Sequence, residues 1–185
     1  MTQAELEMML SKAKILRALT YPALRRVAAQ GRVLKVEEGH IIIGPELGPT
    51  SAYVVLEGSI EIIMPWGPIL AHLGPGELFG EIALVEGIER SAYCKAAVDS
   101  LVFEIPFHSF HADLLSNSVV RAGLQEIALS RQRIQTAIRR GAMRVSKDKP
   151  GEEAPPEGII PHPDPAPDPN AFETESAAPS SAPAE

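Results

Sequence analysis

Cysteine is nearly absent from this chain of 185 residues. Cys94 stands alone, which excludes an internal disulfide framework and a four-cysteine iron–sulfur site. It sits in an apparent strand and reads as a small core hydrophobe rather than a reactive thiol. No run of 18 apolar residues occurs, so no membrane-spanning helix is expected. The first residues carry Glu5 and Glu7 and lack a basic stretch followed by an apolar one, so no secretory leader is read there. A cytoplasmic location is the resulting expectation. Lys and Arg are missing from 150 to 185, where eight acidic residues lie. Without that segment, 17 basic residues stand against 16 acidic ones, so the net charge of −7 belongs to the C-terminal end. Chemistry-bearing clusters are scarce too. The histidines are His40, His72, His108, His111 and His162, and no Cys or carboxylate pattern joins them into a metal set. No nucleophile–base pair is apparent. An enzyme is not expected, and neither is a cofactor.

What is present divides into three parts. Residues 4–19 are rich in helix formers, with Leu6, Met9, Leu10, Ala13 and Leu16 on one face. Thr20 is a plausible N-cap for a second helix with Pro22 early in it and Leu24, Val27 and Ala28 inward. From Gly31 to Ile105 the pattern turns short and β-like. Ile41 to Ile43, Ala52 to Leu56, Ser59 to Met64, Ile69 to Leu73 and Leu101 to Ile105 are apolar or β-branched, with Gly, Pro and acidic residues between. Many short strands at regular spacing predict an all-β barrel or jelly roll over about 31–106. Trp66, in M-P-W-G-P, falls at a predicted hairpin tip, packed on a neighbouring loop or open to a partner.

Residues 107–115 predict a short helix and about 117–140 a long one. Asn117, Val120, Leu124, Ile127, Arg131, Ile134 and Ile138 step by three and four along it. This seam fits a helix packed on its own barrel and, equally, a homodimer through residues 117–138. A basic cluster follows: Arg131, Arg133, Arg139, Arg140, Arg144, Lys147 and Lys149. No aromatics interleave with it, and no recognition helix follows, so direct DNA binding is not expected. From Pro150 on there are ten prolines, alternating at 161, 163, 165, 167 and 169. That composition predicts a disordered acidic tail over 146–185 after a domain of 1–145.

The most informative stretch is Phe79 to Ala92, F-G-E-I-A-L-V-E-G-I-E-R-S-A. It places Glu81 at the start of a very short helix and Arg90 nine residues later. A helix N-terminus offers unpaired N–H groups to an anion, and Gly80 lets the backbone come close. Ile82 and Ala83 can offer N–H groups without bulk. Arg90 brings a permanent, planar charge and Glu81 an acceptor-only carboxylate.

With L-G-P-G-E-L-F-G-E before Ile82 and R-S-A-Y-C-K-A from Arg90, this stretch resembles the phosphate-binding cassette of the cyclic-nucleotide-binding domain family. Catabolite activators and the regulatory modules of kinases and channels belong to that family. The resemblance covers about residues 10 to 140, with Gly39, Tyr53, Gly58, Gly76, Gly80 and Ala83 in place. One departure is Glu46, where the family has glycine. The resemblance implies that Arg90 holds the cyclic phosphate with the N–H groups of the cassette, and that Glu81 takes a ribose hydroxyl. Phe79, Gly80, Ile82, Ala83, Ser91 and Ala92 complete the pocket. The long helix is a lid over the base, with Arg131, Gln132 and Gln135 as candidate base contacts. The implied ligand is cAMP in preference to cGMP. The expectation is a stand-alone sensor, without a helix-turn-helix domain, that signals to an unknown protein partner through lid movement. The alternative is a scaffold or interaction module whose pocket is vestigial or repurposed.

Overall fold

Strand β3 (Ser51–Glu57) serves two cores at once. Successive side chains on a strand point to opposite faces. Ala52, Val54 and Leu56 turn to a layer of helices, and Tyr53 and Val55 to the space between two sheets. The computed structural model of the protein describes residues 1–65 and 67–140. The readings of Trp66, Arg144, Lys147, Lys149, His162 and the 146–185 tail lie outside the described residues.

Two four-stranded antiparallel sheets form the jelly roll. The first runs β1 (Arg32–Val36), β8 (Ser100–Pro106), β3, β6 (Leu78–Phe79). The second runs β2 (Ile41–Ile43), β7 (Tyr93–Ala96), β4 (Ile60–Ile63), β5 (Ile69–Leu73). The five expected strands fall where the apolar runs lie. β1 was hidden by Arg32 and Lys35, and β6 is only two residues long. At the β2–β3 turn, the Glu46 carboxylate folds over Gly44, where an added Cβ would meet it at 2.2 Å. The departure at Glu46 is thus absorbed by the glycine two residues before it.

The expected helix over 4–19 is broken. Helix α1 (Gln3–Lys12), fixed at its start by a Thr2–Glu5 capping box, stops at Ala13, whose backbone is extended. A 3₁₀ turn, Leu16–Ala18, follows. The break lets Ala13 and Leu16 both reach the core while Lys12 and Lys14 stay outside. Helix α2 (Tyr21–Gln30) starts after Thr20 as expected, with Pro22 in its first turn, although the Thr20 side chain makes no capping bond.

After helix α3 (Glu81–Glu86), which belongs to the site below, come β7 and β8. Then α4 (Phe107–Ser109) runs into a π-helical turn (Phe110–Leu115) and into α5 (Ser118–Arg139). Asn117 is the N-cap of α5 rather than a seam position, its side chain accepting from the N–H groups of Val119 and Val120. The buried stripe is Val120, Leu124 and Ala128. Val120 and Leu124 join Leu10, Val54, Phe103 and Phe110 in the helical-layer core. The first half of the seam is therefore used within the chain, and those two side chains are not available to a second copy.

Leu124→Ala should destabilise the protein by about 2–5 kcal/mol, the range for a fully buried leucine truncated in a core. Leu129→Ala on the outer face of the same helix should stay within about 0.5 kcal/mol. Chemical denaturation midpoints of the two variants check this.

Candidate functional site

Strand β6 ends at Phe79, and the chain turns through Gly80 into α3. Gly80 has φ +77°, a conformation L side chains rarely adopt. A Cβ there would lie 2.6 Å from Ile43 Cδ1 and 3.0 Å from Arg90 Nη1. Any side chain at this position would strain the turn and press on Arg90.

Arg90 is buried. Its Nη1 donates to the carbonyl of Gly80, and its Nη2 donates to the carbonyl of Ser51 at 2.6 Å. The last pairs between β3 and β6 are Val54 with Leu78 and Tyr53 with Phe79. Ser51 lies past that end, so its carbonyl is left for the guanidinium. Arg90 Nε has no partner among the described residues. Burial pulls the guanidinium down from its ordinary value.

Glu81 opens α3 and is also buried. Its Oε1 accepts from Arg131 Nη1 at 2.6 Å, and the same nitrogen donates to the carbonyl of Leu78 at 2.8 Å. Arg131 comes from α5, so one carboxylate ties the cassette to the last helix. Glu81 Oε2 has no partner among the described residues. Burial pushes the carboxyl up from its usual range, and the Arg131 charge opposes that rise.

These groups line one cavity of about 650 Å³, part of it open to solvent. Phe79, Gly80, Glu81, Ile82, Ala83, Arg90, Ser91 and Ala92 all contribute to its wall, and α5 adds Arg131, Ile134 and Gln135. Gln132 is not among the lining residues. Ser91 Oγ and the Gln135 carboxamide stand 3.4 Å apart, a second link between the cassette and α5. The apolar wall comes from Ile43, Ile62, Leu70, Ala71, Leu73 and Cys94. Sequence reasoning did not assign these residues to the site. Their only signal is that some of them alternate inward along their strands. Burial pushes the Cys94 thiol up to about 12, so it acts there as a hydrophobe. His72 is exposed on the outside of β5, 4.0 Å from Glu61, and takes no part in the cavity.

Residues 33–117 match the family model of the cyclic nucleotide-binding domain. A Pycsar effector protein from Burkholderia cepacia is 34% identical over 80 residues, which is 43% of this chain and 26% of that protein. The chain thus spans about a quarter of that curated relative. The regulatory domain of Toxoplasma gondii PKA, solved with cAMP, is 25% identical with a TM-score of 0.63, over 69% of this chain and 50% of that one. The sensor domain of the transcriptional regulator DNR from Pseudomonas aeruginosa shares the fold at 18% identity and a TM-score of 0.60, over 71% of this chain and 96% of that one. Residues 33–117 thus match the cyclic nucleotide-binding domain, and the chain shares the fold of solved domains of that kind.

Proposed function

We propose that the protein is a cyclic-nucleotide sensor, with cAMP favoured over cGMP, and that α5 passes the signal to a protein partner. The observation that carries this reading is a pair of buried orphans in one cavity. Among the described residues, Arg90 Nε is a donor without an acceptor and Glu81 Oε2 an acceptor without a donor, and both residues line the cavity. Each such group costs about 1–3 kcal/mol if nothing meets it. A cyclic nucleotide carries both complements: diester oxygens for Arg90 and a ribose hydroxyl for Glu81.

Charge supports the same ligand class. The cavity wall holds two guanidinium groups, Arg90 and Arg131, against one carboxylate, Glu81. Arg131 is paired with Glu81, whereas Arg90 is bound to neutral carbonyls. One positive charge is left over, which suits a monoanionic diester. The apolar wall would take the base. Gln135, beside Ser91, carries a carboxamide, and that group pairs well with the N6 and N7 edge of adenine. This favours cAMP. Because Arg131 bridges Glu81 and α5, a ligand on Glu81 changes how firmly the helix is held. The ligand shifts the helix only to the extent that it prefers one of its two positions.

Calorimetric titration with cAMP and cGMP should give micromolar or tighter binding, with cAMP ahead. Arg90→Ala should lose at least about 2 kcal/mol of it, as for breaking a desolvated charged contact. Near-normal binding by that variant would sink the proposed geometry. No heat and no thermal shift with either nucleotide would move the reading to a scaffold module.

Glu81→Gln should weaken cyclic-nucleotide binding and yet raise the melting temperature of the ligand-free protein at neutral pH. The carboxyl holds its proton to higher pH in the folded chain than in the unfolded one. Its contribution to stability is therefore full below the unfolded value and is lost as the pH rises through the folded value. The lead of the Gln variant over wild type should widen as the pH is raised from the ordinary carboxylate range toward neutrality. A lead that narrows over that range refutes the burial cost.

A further inference from the structure

We propose that Glu104 is a positioning residue for Arg90, acting through Ser51, and that the row of side chains across the first sheet sets how firmly the phosphate-facing cation is held. Glu104 lies in the middle of β8 and is buried with its side chain between the sheets, on the face shared with Val102. A buried carboxylate is expensive, and well-packed apolar residues often replace such ion pairs at no loss of stability. Its surroundings therefore bear on what it is for.

Glu104 Oε1 accepts from the Ser51 hydroxyl at 2.6 Å and from the Tyr53 hydroxyl at 3.4 Å. Its Oε2 accepts from Arg32 Nε. The register puts these groups in one transverse row. Arg32 faces Glu104 across β1 and β8, Glu104 faces Tyr53 across β8 and β3, and Tyr53 faces Phe79 across β3 and β6. The Tyr53 ring stacks on Phe79 with centroids 5.2 Å apart.

This row reaches the cassette at Phe79, its last member, and through Ser51, which Glu104 holds by its hydroxyl. Phe79 is part of the cavity wall, and Ser51 is the residue whose carbonyl receives Arg90 Nη2. Ser51 is the first residue of β3 and lies beyond the β3–β6 pairing, so that ladder does not fix its carbonyl. On the other side the β3–β8 ladder holds its backbone opposite Pro106, and the hydroxyl bond to Glu104 adds a side-chain hold from the same strand. A looser Ser51 would let the guanidinium swing and would degrade its aim at an anion, with little effect on the wall that meets an uncharged group.

Two conservative changes test this in the full chain. Ser51→Ala removes the hydroxyl and keeps the carbonyl, and Glu104→Gln keeps the shape and removes the charge. In ligand-free protein, ¹⁵N NMR should show faster hydrogen exchange at Arg90 Nε in both variants. The ligand arm rests on the cyclic-nucleotide reading. There, cAMP affinity should fall about tenfold, the worth of one charge-assisted hydrogen bond, while adenosine affinity stays unchanged. Unchanged Arg90 exchange in both variants overturns the proposal. Equal losses for cAMP and adenosine overturn it too, because they mark a general structural defect. Faster exchange in a protein that binds neither nucleotide would keep the positioning role and remove the ligand reading.

Discussion

A guanidinium withdrawn from water must find acceptors, and the fold gives Arg90 two of them from its own backbone. Much else in the site follows from this. Gly80 must be glycine, because its backbone lies at φ +77° and a Cβ would crowd Ile43 and the guanidinium resting on its carbonyl. β6 must stop early so that the carbonyl of Ser51 stays open. Had carboxylates supplied the acceptors, the charge of Arg90 would have been cancelled. Carbonyls take its two terminal nitrogens and leave its field intact, in keeping with the anion site proposed above.

The second guanidinium is used in the opposite way. Arg131 gives its charge to Glu81, so the carboxylate stays ionisable at a depth where burial alone would favour its neutral form. It also ties α5 to the end of β6 at the carbonyl of Leu78. The helix thus has two kinds of attachment. Val120 and Leu124 anchor its first half in the core, and Arg131 and Gln135 hold its second half by polar bonds to the cavity. Apolar burial is indifferent to what sits in the cavity, and the polar bonds are not. Any ligand-driven movement should therefore be confined to the second half.

The cassette was legible in the sequence because its chemistry is contiguous. A turn glycine, a carboxylate and an arginine fall within 79–92, and no long-range packing is needed to see them. The strands were legible where apolar residues dominate. β1 was not, because Arg32 and Lys35 break its pattern, although Arg32 proves to be there for Glu104. The break at Ala13 gave no signal either, since alanine is the best of helix formers and only tertiary packing overrides it. The seam of α5 was read with the right spacing, yet spacing cannot say whether Val120 and Leu124 face the chain's own barrel or a second copy. Nor does an arginine on a helical stripe reveal which carboxylate it meets. Arg131 was placed at the cavity by the sequence, but its bond to Glu81 joins residues fifty positions apart and belongs to the fold.

The two-sided character of β3 has one more consequence. Ala52, Val54 and Leu56 answer only to the helices, and Ser51, Tyr53 and Val55 only to the inner space, where Glu104 and Phe79 await them. Neighbouring letters of the sequence thus act on separate properties. Even-numbered positions from 52 to 56 adjust how the helical layer docks, and odd-numbered ones from 51 to 55 adjust the space between the sheets. Variation from Ser51 to Leu56 can therefore alter the packing of the helical layer and that of the inner space separately.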